Sequence, residues 1–218
     1  MTDWVTISGL ATAGGTLVLA AATFAAVRSS NRSAQLAELA LRQQLRPVLV
    51  NSQLEDPSQK IMFMEGKWIQ AGGNEAAAEH SDGIVYLGLS VRNVGTGIGV
   101  LIGWHVLADE WPARGDPLPA DQFRRQLRDL LIPAGGIGLW QGALRDSAEE
   151  LHGKVAAVVG GRTPFAIDLL YSDHMGGQRA ITRFSVSPAG EERWLAGAVR
   201  HWALDGPDPR HQPGRSDA

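Results

Sequence analysis

Three glycines at alternate positions, Gly95, Gly97 and Gly99, have a spacing that suggests a loop for binding phosphate. Such a loop requires a strand, then G-x-G-x-x-G, then a helix whose N-terminus holds the anion. The spacing here is G-x-G-x-G, and no Lys, Ser or Thr stands where a Walker motif requires one. The residues that follow alternate as a strand does. The pattern therefore predicts a turn or a bulge between two strands.

Histidine is the next residue type that could supply metal ligands or acid–base catalysts. Asp173, His174 and Arg179 lie close together in sequence beside a predicted turn, and they are the candidate catalytic residues of an enzyme hypothesis. The alternative is that His174 is a solvated or turn-bonding residue of a hairpin. No two histidines have the spacing of a zinc motif such as H-E-x-x-H, although the chain has six: His80, His105, His152, His174, His201 and His211.

Other catalytic and cofactor patterns are missing from the sequence. The absence of Cys excludes disulfides, thiolate nucleophiles and Cys-ligated zinc. There is no G-x-S-x-G nucleophile motif. Adjacent carboxylates such as Glu149 and Glu150 or Glu191 and Glu192 read as solvated charges, because neighbours on a strand point to opposite faces. We therefore predict no catalytic, cofactor-binding or metal-binding residues.

The distribution of charge is unsuited to nucleic acid. The formal net charge is −3, and the basic excess is confined to a short collar of Arg28, Arg32, Arg42 and Arg46 ahead of a mildly acidic remainder. A protein that binds nucleic acid needs a basic face, whereas a collar of this kind suits an anionic membrane surface. We therefore predict no nucleic-acid partner.

A second basic group, Arg124, Arg125 and Arg128, lies within a predicted short helix over residues 121–131. It could face lipid phosphates or an acidic partner. The alternative is a solvated helix face, since Asp121 and Asp129 dilute the positive charge.

Residues 4–27 form an uncharged stretch that predicts a transmembrane anchor. As a helix it would be about 36 Å long, against a hydrocarbon core of about 30 Å. Trp4 favours one interface and Arg28 closes the other end. A signal peptide would carry its positive charge before the apolar stretch, and here the only charge before it is Asp3. The lipid bilayer is thus the predicted partner of residues 4–27.

The same arginines orient the anchor. The positive-inside rule places the side that carries Arg28 to Arg46 in the cytoplasm, which predicts a single-pass protein of the bacterial inner membrane with a cytoplasmic C-terminal domain. Small residues four apart, Gly9 with Ala13 and Ala11 with Gly15, would let two such helices approach closely. We therefore expect either a homo-oligomer or binding to another protein, and the alternative is an isolated chain.

Four segments are predicted in all: an anchor over 1–28, a helical stalk over 29–46, a β-sandwich domain over 47–204 and a disordered tail over 205–218. The stalk has good helix formers and ends before Pro47. The tail has no apolar residue other than Pro, Gly and Ala.

The domain is predicted to be mainly β. Strands are predicted at 48–54, 61–64, 67–70, 85–91, 100–106, 137–144, 165–172, 179–186 and 193–204, with a loop over 71–82. Val85 to Val91 alternates apolar and polar residues, which predicts one buried and one exposed face. Ser147 and Glu150 match a capping box that predicts a second helix over 148–159. Many short strands joined by hairpin turns favour an antiparallel β-sandwich with two short helices.

Four stretches carry a resemblance to a known kind of protein. R-P-V-L-V from Arg46, followed by L-S-V-R-N-V-G-T-G from Leu89, is similar to a pattern in uncharacterised single-pass bacterial membrane proteins. The stretch from Tyr171 to Arg179 and the triplet from Arg200 to Trp202 resemble an actinobacterial set of them. The resemblance implies an N-terminal anchor and an immunoglobulin-like β-sandwich, and it carries no known activity and no functional residue.

An anchor, a stalk and a sandwich without a catalytic pattern favour a membrane-tethered interaction module. The alternatives are a membrane-bound enzyme, with Asp173, His174 and Arg179 as its candidates, and a ligand-sensing domain with an apolar pocket.

Overall fold

The computed structural model describes the backbone of residues 4–108 and 115–206, with side chains from Ala13 onward except those of residues 42 and 43. The chain divides into two compact units, residues 1–44 and 45–218. The first is a single helix and the second contains all the strands.

The helix of the first unit, α1, runs over Trp4–Gln44 without interruption. It confirms that the helix of the predicted anchor region continues into the stalk, and it ends where Pro47 disfavours helical backbone in the residue before it. The predicted small-residue pairs include Gly9 and Ala11, which lie outside the residues whose side chains are described. Over the described part of the chain, no helix has both the length and the mean hydropathy that crossing a membrane demands. The anchor stays a prediction.

Within the described residues, the second unit has twelve strands and one α-helix, in an antiparallel arrangement that confirms the mainly β prediction. In chain order they are β1 (Leu49–Asn51), β2 (Gln59–Met62), β3 (Trp68–Ala71), β4 (Glu75–Ser81), β5 (Ile84–Asn93), β6 (Gly99–Leu107), β7 (Arg124–Arg125), β8 (Leu131–Ile132), β9 (Ile137–Leu144), α2 (Glu150–Gly160), β10 (Phe165–Ser172), β11 (Ala180–Ala189) and β12 (Arg193–Ala203).

Ten strands form one sheet in the order β1-β5-β4-β12-β11-β10-β6-β7, with β9 paired to β5 and β8 paired to β6. The sheet curls so that its two edges meet. The rings of Trp104 on β6 and Trp140 on β9 are 5.5 Å apart, and a Cβ on Gly138 of β9 would lie 2.9 Å from Ile132 of β8. A large apolar core fills the inside of the curl, with Trp140, Leu87, Leu89, Phe184 and Ile167 among its fully buried side chains.

The hairpin of β2 and β3 is separate from this sheet and covers the outer face of β5. The rings of Phe63 and Tyr86 are 4.8 Å apart, and a Cβ on Gly88 would lie 2.7 Å from the side chain of Ile69. The prediction of one exposed face on β5 is therefore wrong: Tyr86, Gly88 and Ser90 are buried as well as their apolar neighbours.

Two local predictions are wrong because strand pairing overrides local preference. The predicted loop over 71–82 contains β4, whose small residues Ala76, Ala77 and Ala78 pair with β5. The predicted helix over 121–131 is instead a 3-10 turn at Ala120–Gln122 followed by β7, which pairs with the edge of β6. The predicted helix would bury Phe123, Leu127 and Leu130. In the structure Phe123 is buried and Leu130 partly buried, but Leu127 is 89% exposed.

Helix α2 begins at Glu150 rather than at residue 148, and its N-cap residue, Glu149, makes no side-chain capping bond. The predicted capping box of Ser147 and Glu150 is therefore not formed. Asp146 organises the preceding turn instead, because its carboxylate accepts a hydrogen bond from the backbone of Ala148 at 2.9 Å.

The C-terminal strands agree closely with expectation: β9, β10 and β12 cover the predicted ranges within a residue, and β11 extends three residues further. Of the predicted disordered tail, Asp205 pairs with Arg179, and residues 207–218 lie outside the described ranges.

Candidate binding groove

The glycine motif forms the turn between β5 and β6, as the spacing predicted. Its glycines allow another segment to come close, since a Cβ on Gly97 would lie 1.7 Å from the carbonyl oxygen of Leu45 and one on Gly95 would lie 2.4 Å from that of Arg46. No side chain larger than hydrogen fits against backbone at these distances. The turn thus packs on the segment that leads into β1.

Asn93 joins the same two segments, and sequence reasoning did not assign it a role. Its side chain is fully buried and forms four hydrogen bonds. Oδ1 accepts from the backbone N–H groups of Val48 at 3.1 Å and Gly95 at 3.0 Å, and Nδ2 donates to the carbonyls of Gly97 at 2.7 Å and Ile132 at 3.0 Å. The stretch that begins at Arg46 is therefore in contact with the stretch that begins at Leu89. Asn93 satisfies its hydrogen-bonding capacity between them.

The candidate catalytic residues do not assemble into a site. Asp173 is buried, and its carboxylate accepts hydrogen bonds from the backbone of Met175 and Gly177 in its own turn. The guanidinium of Arg179 pairs with Asp205, and His174 is exposed on the turn. Each side chain has a separate environment, so this arrangement gives no support to the enzyme hypothesis.

A buried ion pair on β10 and β11 was also missed from the sequence. The guanidinium of Arg183 donates two hydrogen bonds to the carboxylate of Asp168, both at 2.7 Å, and its carbon lies 5.0 Å from the ring centre of Trp202. His105 stands opposite Asp168 on β6, and burial lowers the pKa of its imidazole. His105, Asp168 and Arg183 thus lie side by side on β6, β10 and β11, and they hold the outer faces of these three strands together.

A third polar cluster surrounds the hydroxyl of Tyr171. This hydroxyl accepts from the backbone N–H of Leu49 at 3.1 Å and lies 2.9 Å from Thr182 Oγ1 and 3.2 Å from His201 Nδ1. Burial raises the pKa of Tyr171, which keeps the phenol neutral. The cluster therefore ties β1 to β10, β11 and β12.

The arginines predicted on a helix face line a groove of about 490 Å³ instead. The groove lies where the two edges of the curled sheet meet, between β7, β9 and the end of the β2–β3 hairpin. Its lining comprises Met62, Phe63, Met64, Trp104, Arg124, Arg125, Gln126, Leu127, Arg128, Gln141, Gly142, Ala143 and Arg145. We call these thirteen residues the groove surface.

Two of the four arginines of the groove surface are already paired. Arg124 forms an ion pair with Glu149 and lies over the ring of Trp104 at 5.6 Å. Arg145 pairs with Glu65, and its hydrogen bond to that carboxylate lowers the pKa of Glu65. Arg125 and Arg128 are exposed, and within the described ranges neither forms an ion pair.

Exposed apolar side chains stand beside these charges. Met64 is 86% exposed, Met62 is 48% exposed, and Leu127 projects almost fully into solvent. Met62 is opposite Trp68 in the hairpin, and Trp68 is 59% exposed although it lies outside the groove. Their neighbours Ile69 and Phe63 are buried, so the hairpin has one face on the domain and an outward face on which Met62 and Trp68 stand beside Lys60 and Gln70.

A buried acceptor completes the groove surface. The Oε1 atom of Gln141 is buried and has no hydrogen-bond partner in the described part of the chain. The adjacent Gln126 is held in place, because its Oε1 accepts from the indole of Trp140 at 3.2 Å and its Nε2 donates to the Gln141 carbonyl at 3.3 Å. Gln141 therefore places an unsatisfied buried acceptor within the lining of the groove.

No metal site accompanies these groups: across the described residues, no three His, Asp or Glu side chains form a cluster that could hold a metal ion. Comparisons with protein-family models, with curated proteins and with solved structures found no match to this chain. The resemblance to single-pass actinobacterial membrane proteins stays a prediction.

Proposed function

We propose that this chain is a membrane-tethered interaction module whose β-domain binds a protein partner through the groove surface. The observation that carries the proposal is the group of exposed apolar side chains at the groove, Met62, Met64 and Leu127, beside the exposed arginines Arg125 and Arg128. Methionine and arginine are enriched at protein interfaces relative to the rest of the surface. An exposed apolar patch rimmed by polar groups marks an interaction site.

The flexibility of the thioether suits the same role. Met side chains adapt their shape to a partner at low cost, and the two methionines extend from a hairpin whose opposite face is fixed by Phe63, Ile69 and Tyr86. A rigid support for adaptable contact groups is favourable for binding, because the backbone loses little conformational freedom when the partner docks.

The membrane anchor in this proposal is inferred from the sequence of α1. Residues 4–27 carry no charge, the region is helical, and Arg28 and Arg32 follow it. These features support a single-pass anchor with the β-domain on the cytoplasmic side of a bacterial inner membrane. The antiparallel strands around a large apolar core support an immunoglobulin-like sandwich as the fold of that domain.

Purification of the full chain from detergent-solubilised membranes, with a photo-crosslinking residue in place of Met64, tests the proposal. A discrete crosslinked band is expected, and it should be lost in a Leu127→Ser variant. Leu54→Ser is the matched control, since Leu54 is a 74% exposed leucine outside the groove surface. Recovery of uncrosslinked monomer alone, or equal loss in both variants, would count against the groove as the interaction surface.

A further inference from the structure

We infer that the partner segment bound by the groove is an acidic peptide in which carboxylates alternate with apolar side chains. The inference rests on the proposed function, and it names the chemistry of the partner at the same site. It follows from three properties of the groove surface: its charge, its apolar rim and its buried acceptor.

The charge of the groove surface is positive after its internal pairs are counted. Glu149 and Glu65 offset Arg124 and Arg145, which leaves the charges of Arg125 and Arg128 for a partner. The guanidinium group presents a planar set of donors that matches a carboxylate with two parallel hydrogen bonds. The rest of the domain is mildly acidic, so a carboxylate is attracted to this surface in particular.

The apolar rim requires more than a charge from the ligand. Met62, Met64 and Leu127 are exposed around the groove, and Phe63 and Trp104 form part of its lining. An aliphatic side chain placed among them removes apolar surface on both partners from water. Leu127 lies between Arg125 and Arg128 in sequence, so the site presents charged and apolar groups in close alternation.

The buried acceptor favours a peptide over an anionic lipid. Gln141 Oε1 lacks a donor in the described part of the chain, and burial without a hydrogen bond is costly. An extended peptide supplies a backbone N–H at every residue beside its side chains. A phospholipid carries its donors only in the headgroup, beside the charge, so the acyl chains that meet the apolar rim supply none.

Fluorescence anisotropy with the full chain in phosphatidylcholine nanodiscs tests the inference directly. The probe is a labelled octapeptide of alternating Glu and Leu, and its matched control has Gln in place of every Glu. We expect the acidic octapeptide to bind about tenfold more tightly, which corresponds to about 1.4 kcal/mol. A version with N-methylated backbone amides should bind more weakly than the unmodified acidic peptide, because it cannot donate to Gln141.

Variants assign the binding to named residues. The double variant Arg125→Gln/Arg128→Gln should reduce affinity for the acidic octapeptide by about tenfold and leave the neutral peptide unaffected. Arg193→Gln removes an exposed arginine outside the groove surface, one that is paired with Glu75, and it should change neither affinity. A Gln141→Leu variant should bind the acidic peptide as weakly as the wild type binds the N-methylated one.

Three results would overturn the inference: equal affinity for the acidic and neutral octapeptides, no binding of either, or binding that persists in the double arginine variant. Dihexanoyl phosphatidylglycerol is the competing probe, and displacement by this lipid without binding of the acidic peptide would assign the groove to a membrane surface. If the octapeptides fail while the Met64 crosslink still depends on Leu127, the proposed function stands and only the acidic chemistry is rejected.

Discussion

The side-chain oxygen of Asn93 accepts a hydrogen bond from the backbone N–H of Val48 at 3.1 Å, and this contact ties the end of β5 to the segment before β1. Asn93 forms three further hydrogen bonds, to Gly95, Gly97 and Ile132, without any exposure to solvent. Backbone hydrogen bonds from Val94 to Val48 and from Thr96 to Arg46 accompany these contacts, so Asn93 helps to fix the segment that follows α1 to the β-domain.

Replacement of Asn93 should be costly, because Asn93→Ala removes the partner of two buried carbonyl groups and of two part-buried N–H groups. We expect the free energy of unfolding to fall by about 2–4 kcal/mol, measured by urea denaturation of the full chain in detergent. Val94→Ala at the adjacent, exposed position is the control and should stay within about 0.5 kcal/mol of the wild type. A small loss at Asn93 would show that the turn holds without its side chain.

Two glycines should respond to alanine in opposite directions. Gly97→Ala places a methyl group against the backbone of Leu45, so the turn must shift and the protein should lose about 2 kcal/mol or more of stability. Gly153→Ala lies in α2 with open space around the new methyl, and it should gain about 0.5–1 kcal/mol. Thermal unfolding of both variants side by side gives the comparison, and destabilisation by Gly153→Ala would contradict it.

The ion pair of Asp168 and Arg183 is predicted to be far more sensitive than an exposed pair. Asp168→Ala leaves the Arg183 guanidinium buried without its carboxylate, which should cost about 3–5 kcal/mol. Asp205→Ala breaks the more exposed pair with Arg179 and should cost about 1 kcal/mol or less. Denaturant titration measures both, and similar losses would show that Arg183 finds another partner when Asp168 is removed.

Stability should decrease as the pH falls below neutrality, in part through His105. Burial lowers the pKa of this imidazole from its ordinary value of 6.5, although Asp168 opposes the shift. Between the folded and the unfolded pKa the unfolded chain binds more protons, so the contribution of His105 is fully present above about 6.5 and is lost as the pH falls toward the folded value.

A His105→Gln variant should therefore show a weaker loss of stability between pH 7 and pH 5 than the wild type. Urea midpoints measured across this range give the slopes, and the two curves should run parallel from pH 7 to pH 8. Identical slopes below pH 7 would assign the acid sensitivity to other groups.

The proposed anchor can be tested by charge insertion. Leu17→Arg/Leu19→Arg places two charges within the uncharged stretch, each costing about 2.5–3.5 kcal/mol at the bilayer centre, and should move the chain from carbonate-washed membranes to the supernatant. Leu36→Arg/Leu39→Arg alters two similarly exposed leucines of the stalk and should leave the chain in the pellet. Equal release of both variants, or release of the wild type, would contradict a transmembrane anchor.

Local sequence was enough to predict several elements of the fold. Runs of strand-forming residues predicted β6, β9 and β10 to within about one residue, and Pro47 marked the end of α1, because strand propensity and helix termination depend on neighbouring residues. Prediction failed where a distant segment decides the outcome: β4 forms because β5 and β12 offer it backbone partners, and the outer face of β5 is buried because the hairpin of β2 and β3 covers it.

By itself, the sequence determined a long N-terminal helix with an uncharged stretch, a mainly antiparallel β-domain, and the absence of a recognisable catalytic or metal motif. Only the tertiary structure decided that Arg124, Arg125 and Arg128 share a groove with Met62, Met64 and Arg145. The Arg145–Glu65 pair in that groove joins residues 80 positions apart in the chain. Periodicity reports which face of an element is apolar, whereas the grouping of charges from separate elements depends on how the sheet curls and which edges meet.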